Sequence, residues 1–310
     1  MLKSFFVLSG EHEELARDEV LAISKSYDKN ASIKYESRLV LLKSKVSWDK
    51  IANRATFVKL AGTIVDDFDL SRIDIQISRP EKFACRVINL SSRKISSSVL
   101  ERQLGSVLLK KWNSNVSLSN PDVTIYLIIT DSKRYLAYST AQIKSPRPRK
   151  PIKYPHELDW KLGRCMVNLS QLKEGDCICD PFCGTGTILL EAQSMGIKSI
   201  GIDFDQRMCD ITRKNLSING FKSIVINSTF DHLLQVKDKI DAIVTDIPYG
   251  ISSKSSVSPK RLADDFISIV PKQKKLVLVY KRGLDIEGME KAKKYEIYRH
   301  KSLTRVIAVR

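Results

Sequence analysis

Up to about residue 140, apolar residues come in short runs separated by polar segments. Runs at 5–8 and 39–43 predict strands, and Leu15, Val20 and Ile23 place an apolar stripe on a helix over 13–24. Residues 83–87 predict another strand. A helix over 97–112 follows, with Val99, Leu100, Leu104, Val107 and Leu108 on its stripe, and then a strand at 123–130. From about residue 155 the pattern becomes a regular alternation of strand and helix, which predicts a parallel sheet with crossover helices. A helix over 156–169 opens this half. Apolar strands then run into Asp180, Asp203 and Asp246, a helix over 188–195 is closed by Gly196, and residues 300–307 predict a final strand.

The two halves are joined by Lys144-Ser145-Pro146-Arg147-Pro148-Arg149-Lys150-Pro151-Ile152-Lys153. Its prolines forbid helix and inner strand, and it carries five cations and no acid, so an extended, exposed, basic linker is expected. It is either a solvated spacer or a segment that also touches phosphate. At roughly 100–200 residues per domain, 310 residues predict two domains, or two with a small extra module. The expected division is an α+β, ferredoxin-like module at 1–65, a second α+β module at 66–142, the linker at 143–155 and an α/β domain at 156–310.

Composition narrows the function. Apolar residues make up 43% and charged residues 28%, enough for buried cores. Lys and Arg number 52 against 35 Asp and Glu, a formal charge of +17, which favours a polyanionic partner, nucleic acid first. No apolar run approaches the ~20 residues of a membrane span, and the opening apolar stretch meets Glu11, Glu13 and Glu14 too soon for a signal peptide. A soluble, cytoplasmic chain is expected, with no membrane partner. Six cysteines, mostly inside apolar segments, suit a reducing compartment. Cys177, Cys179 and Cys183 lack a second Cys/His pair to complete a tetrahedral site, so no metal is expected.

The stretch Gly175-Asp176-Cys177-Ile178-Cys179-Asp180-Pro181-Phe182-Cys183-Gly184-Thr185-Gly186-Thr187 is a strand, a turn with two glycines and the start of a helix. It is neither a phosphate loop nor the dinucleotide fingerprint. It resembles the first motif of class I S-adenosylmethionine-dependent methyltransferases. The resemblance implies a Rossmann-like, doubly wound domain in which Asp180, Pro181, Phe182, Cys183, Gly184, Thr185 and Gly186 face the methionine part of the cofactor, with Asp180 near its cationic end. Asp203, at the end of the next strand, is the candidate acceptor for both ribose hydroxyls. Asp205 competes for that role but reads better as the N-cap of a helix from Gln206. Asp231 is the candidate for the adenine contact.

Asp246-Ile247-Pro248-Tyr249 follows a buried strand and resembles the Asp-Pro-Pro-Tyr motif of methyltransferases acting on exocyclic or amide nitrogens. Such an amine is a poor nucleophile because its lone pair is delocalised. The Asp246 carboxylate and the carbonyl of residue 247 can each accept an N–H, which aims the lone pair at the sulfonium methyl. Pro248 shapes the turn and Tyr249 can stack on the base. Ile247 stands where the family usually has its first proline, which affects loop rigidity more than chemistry.

In the first half, Arg86 in a strand, Ser96 to Ser98 leading into a helix with Gly105, and Asn120-Pro121-Asp122 before the next strand resemble the THUMP domain, an RNA-binding module. With the helix at 156–169 and the ending His300-Lys301-Ser302-Leu303-Thr304-Arg305, the whole chain resembles the archaeal tRNA guanosine N2-methyltransferases acting at position 10. That resemblance implies S-adenosylmethionine as cofactor, tRNA as partner and one or two methyls transferred. Arg86, Arg93, Lys94, Lys144, Arg147, Arg149 and Lys150 are the candidate RNA contacts. A monomer is expected, with an accessory protein left open. Competing readings are N2-methylation at position 6 of tRNA or in rRNA, a DNA adenine-N6 methyltransferase, and a non-catalytic RNA-binding subunit.

Overall fold

The computed structural model describes residues 2–67, 75, 78–144, 146–154, 157–248, 258–300 and 303–310. Their contacts divide into two units, 1–53 with 57–145 and 54–56 with 146–310.

The first unit runs β1 (Leu2–Leu8), α1 (Glu13–Tyr27), β2 (Ser32–Glu36), β3 (Leu39–Ser44), α2 (Trp48–Arg54), β4 (Val58–Asp67), β5 (Lys82–Asn89), α3 (Ser97–Trp112), β6 (Asn115–Val116), β7 (Val123–Ile129) and β8 (Arg134–Ser139). All eight strands form one sheet, ordered β2-β3-β1-β4-β8-β7-β5-β6. Phe5 and Phe6 are both fully buried, so β1 is covered on both faces. The pairing is antiparallel except where α3 carries the chain from β5 to its parallel neighbours β6 and β7. On α3 the buried positions are Leu104, Leu108 and Trp112, packed on Phe83, Val123 and Ile125. The stripe is narrower than the sequence predicts, because Val99 stays 43% exposed. The expected boundary at 65/66 falls inside β4, which pairs with β1 on one side and β8 on the other, so the two expected modules share a single sheet.

The second unit runs α4 (Trp160–Leu169), β9 (Cys177–Asp180), α5 (Thr187–Ser194), β10 (Lys198–Asp203), α6 (Gln206–Ser217), β11 (Ile224–Asn227), α7 (Leu233–Val236), β12 (Ala242–Asp246), α8 (Pro259–Ile269), β13 (Lys275–Lys281), β14 (Lys293–His300) and β15 (Leu303–Val309). Its sheet is ordered β11-β10-β9-β12-β13-β15-β14, parallel through β13, with β15 antiparallel between β13 and β14. The chain winds outward from β9 through β10 to β11, then restarts at β12 on the other side. That reversal opens a crevice at the carboxyl ends of β9 and β12, where ligands bind in such sheets. The helix expected over 156–169 begins at Trp160, because the Asp159 side chain accepts from the Lys161 N–H at 2.9 Å and caps it.

The basic segment after residue 145 is not a free spacer. Asn219 brackets Arg149, accepting from its N–H at 2.7 Å and donating to its carbonyl at 2.7 Å. One turn earlier on α6, buried Asn215 treats Ile152 in the same way, at 3.2 and 3.0 Å. The prolines leave few donors in this stretch, and two asparagine amides supply the pairing that a neighbouring strand would give. Buried Arg164 on α4 adds a third tie: its guanidinium bonds Glu191 at 2.8 Å and the Pro146 carbonyl at 3.1 Å.

Candidate functional site

β9 delivers Asp180 to the crevice, 2% exposed. Its Oδ1 accepts from the Thr245 hydroxyl of β12 at 2.6 Å and the Phe182 N–H at 3.2 Å. Burial still lifts it to about 7, helped by Asp246 and Asp203 nearby. The next residues turn through Gly184 at φ +50° and Gly186 at φ +83°, conformations glycine adopts without strain. The Thr212 hydroxyl of α6 donates to the Gly184 carbonyl at 2.6 Å, and a Cβ on Gly186 would stand 2.9 Å from the Thr212 methyl. A Cβ on Gly184, by contrast, would meet nothing within 4 Å: the backbone there faces open space.

Asp203, at the end of β10, ties the turn to the sheet. One oxygen accepts from the Gly184 N–H at 2.8 Å and the other from the Asp205 N–H at 2.9 Å, while burial raises its pKa. Asp205 caps α6, accepting from the Arg207 N–H at 2.9 Å. Between them Phe204 stands 51% exposed. Asp231 lies on a short 3-10 turn, exposed, and accepts from the Thr229 hydroxyl at 3.0 Å. Phe182 is half-buried, its ring 5.6 Å from Phe230 and 5.3 Å from Phe266. Cys183 differs from expectation: its side chain packs with Leu189, Leu190 and Leu216, so only its backbone borders the crevice. Burial carries its thiol well above the ordinary range.

Asp246 ends β12, with Pro248 half-buried beyond it. Tyr249 lies outside the described residues, as do Gly250 and 251–257. The Asp246 Oδ1 is buried with no hydrogen-bond partner among the described residues, and burial lifts the group to about 6 against the pull of Arg305. Arg305 on β15 is 2% exposed and places Nη1 3.7 Å from the Asp246 Oδ2. An acceptor left unsatisfied in a low-dielectric position is costly unless a ligand completes it.

Glu157 carries no signal in the sequence beyond its place in an expected helix, yet it joins the turn to the basic segment. Its Oε2 accepts from the Thr185 hydroxyl at 2.9 Å and from Lys150 Nζ at 2.7 Å, and Lys150 also donates to the Thr187 hydroxyl at 2.5 Å. Lys150, an expected RNA contact, is therefore engaged beside the glycine turn, and burial lowers its pKa. The other cations are placed variously. Lys144 and Arg149 are exposed, and Arg147 lies over the Trp160 ring at 4.1 Å. Arg86 spends two donors on the Cys85 and Leu118 carbonyls. Arg93 and Lys94 line a pocket of about 400 Å³ with Lys133 and Arg134.

These residues fit a sulfonium cofactor. The space above Gly184 admits a ligand against the backbone, the carboxyls of Asp180 and Asp246 suit its cationic centre, and Asp203 and Phe204 at the end of β10 suit a nucleoside. Among the described residues no group of three His, Cys, Asp or Glu is placed to hold a metal ion, and no helix is long and apolar enough to cross a membrane.

A family model described as "RMKL-like, methyltransferase domain" matches residues 147–294. Another, described as "DNA methylase", matches residues 16–214, a range that ends in α6 ahead of Asp246. The crystal structure of TrmN from Thermus thermophilus shares the fold, with a TM-score of 0.56 at 17% identity over 100% of this chain and 99% of that one. A tRNA (guanine(10)-N2)-dimethyltransferase of Methanothermobacter thermautotrophicus is 32% identical over 99% of both chains. One of the same name from Methanocaldococcus jannaschii is 30% identical over 98% of both. Relatives this similar over their whole length place the chain in a family: it belongs to the archaeal tRNA (guanine(10)-N2)-dimethyltransferases.

Proposed function

We propose that this protein transfers one or two methyl groups from S-adenosylmethionine to the exocyclic N2 of guanosine 10 in tRNA. The observation that carries the reading is the buried, unpartnered Asp246 Oδ1 at the carboxyl end of β12, in a chain of this family. The cofactor supplies an electrophilic methyl and leaves as a neutral thioether. Asp246 Oδ1 accepts one amine N–H and the Ile247 carbonyl the other, which holds the nitrogen lone pair toward the methyl. As the N–C bond forms and the S–C bond breaks, the nitrogen sheds a proton that the Asp246 carboxylate is positioned to take. Asp180, with Pro181 and the turn from Phe182 to Gly186, binds the methionine end. Asp203 takes the ribose, Phe204 lies against adenine, and Asp231 closes the adenine edge. Pro248 fixes the turn and Tyr249 stacks on the guanine, which must leave its stem to reach Asp246.

In this reading residues 66–142 are the THUMP-like RNA-binding part, attached to the module at 1–65, and the protein works in the cytoplasm. Arg93 and Lys94 contact phosphate at their pocket and Arg86 does so elsewhere on the first unit; Lys144, Arg147 and Arg149 add cations from the segment at 143–155, while Lys150 serves the glycine turn through Glu157. Nucleoside mass spectrometry of an unmodified tRNA transcript incubated with enzyme and cofactor tests the assignment. N2-methylguanosine that disappears when guanosine 10 is replaced is the expected result. A second reading, adenine-N6 methylation of DNA, draws on the match over 16–214 and would use the same Asp246. Duplex DNA in a parallel reaction decides it.

A further inference from the structure

Arg305 closes the His300-Lys301-Ser302-Leu303-Thr304-Arg305 stretch. It sits on β15 opposite Lys281 of β13 and Ile297 of β14, so its strand is an interior one, and the residue is only 2% exposed. A guanidinium so buried needs an anion, and its Nη1 lies 3.7 Å from the Asp246 Oδ2. The contact is one-sided. Oδ2 faces the cation while Oδ1 of the same carboxyl is buried without a partner among the described residues.

We infer that Arg305 is a positioning residue for methyl transfer: it anchors Asp246 through Oδ2 and thereby presents Oδ1, as a carboxylate oxygen, to the substrate amine. The inference rests on the reading of Asp246 as the amine acceptor. Only an ionised carboxyl can offer Oδ1 as an acceptor and take up a proton. Burial pushes Asp246 up to about 6, and Arg305 is the influence holding it down. Among the described residues the surroundings leave that task to Arg305. Asp180 on β9 is a like charge, the register partner on β13 is the uncharged Val279, and the adjoining Ile247 and Pro248 are neutral. Removing the guanidinium should carry the group upward, so the acid limb of turnover should move to higher pH.

Single-turnover methylation of a tRNA transcript, from about pH 5 to pH 9, compares the wild type with Arg305→Met and Arg305→Lys. The wild-type limb is expected near 6. Arg305→Met should shift it up by at least about one pH unit and so lower the rate at about pH 7 by roughly 2-fold or more. Cofactor affinity by calorimetry and the KM for tRNA should stay within a few-fold, and Arg305→Lys should restore most of the limb. If Arg305→Met fails to bind cofactor, Arg305→Gln provides the same comparison with a neutral but hydrogen-bonding side chain. Charge-neutral variants that bind cofactor normally yet keep the wild-type rate and limb overturn the inference. Asp246→Asn separates the two levels: an inactive variant beside unmoved Arg305 variants sinks only the role of Arg305, whereas an active one removes the reading beneath it.

Discussion

In the first unit, Asp28 accepts from the Lys45 N–H at 2.8 Å, the Ser44 hydroxyl at 3.0 Å and the Asn30 N–H at 3.1 Å, and the Lys45 bond above all holds it below the ordinary carboxylate range. Glu36 is lowered by the Ser132 hydroxyl, and Asp131 by the Ser92 N–H and hydroxyl. In the second unit Glu157, Asp264 and Glu290 are lowered in the same way, but at its buried acids the direction reverses: Asp180, Glu191, Asp203 and Asp246 are raised, because burial outweighs their hydrogen bonds and ion pairs. Acids of the first kind staple turns together. Three of the second kind stand at strand ends around the crevice, held in a setting that disfavours their own charge and so favours a cationic ligand. The contrast separates acids that hold the shape of either unit from the buried acids, found in the second unit, that are kept waiting for a ligand.

The largest effect is expected from Asp246→Asn. Turnover should fall by roughly 10²–10³-fold, the scale on which removing one transition-state hydrogen bond acts, while cofactor and tRNA affinities stay within a few-fold. Single-turnover rates and calorimetry check it, and near wild-type turnover would refute the assignment. Asp203→Ala should weaken cofactor binding by about 1.5–3 kcal/mol and leave tRNA affinity alone. An unchanged dissociation constant would remove Asp203 from the cofactor site.

On the other side, replacing Arg93 and Lys94 together by alanine should reduce tRNA affinity and flatten its salt dependence by about one unit for each phosphate that the protein no longer neutralises. The rate at saturating tRNA should not change. Filter binding across a potassium chloride series measures this, and an unchanged slope would mean that the pocket they line does not meet phosphate.

The smallest effect concerns pH and stability. Carboxyls held below their ordinary value stabilise the fold above that value, and the benefit is lost as pH falls through the lowered pKa. Raised carboxyls work the other way: the native state keeps protons that the unfolded chain has released, so its stability falls as pH rises from about 4 toward 7. Hydrogen exchange should therefore show amides of β9 and β12 better protected at about pH 5 than at pH 8, with those of β1 and β3 little changed over that range. Parallel changes in both sheets would contradict the contrast between the units.

Where the chemistry is local, the chain announces it. The strand-turn-helix around Asp180 is a contiguous pattern, and α3 is found over the range its apolar spacing predicts, 97–112. β2, β4 and β8 are not evident, because half-buried antiparallel strands such as Ser32–Glu36, with Tyr35 60% exposed, carry a weak alternation. The site is divided in the same way. Its acids can be picked out one at a time, but Thr245 bonding Asp180 and Arg305 reaching Asp246 depend on strand order, which no short window contains. Thr245 does leave a trace as a polar residue that follows three apolar ones in β12, just ahead of Asp246. Lys150 reads as a surface cation, and only the strap through Asn215 and Asn219 explains why it turns inward instead.

β9 and β12 pair directly, Ala242 with Ile178 and Ile243 with Cys179, and from that pairing Thr245 grips Asp180 while its neighbour Asp246 keeps an Oδ1 without a partner among the described residues. Paired strands lie about 4.8 Å apart, a spacing fixed by backbone hydrogen bonds and indifferent to side chains. In the proposed reaction the sheet is thus a gauge block between the end that donates the methyl and the end that receives it. Tolerances that a loop could not keep are inherited from the pitch of the ladder. Natural variation could rewrite the segment after Pro248 for another nucleotide and leave the working gap at its setting, whereas a one-residue slip of β12 would turn Asp246 to the opposite face and misalign every substrate alike.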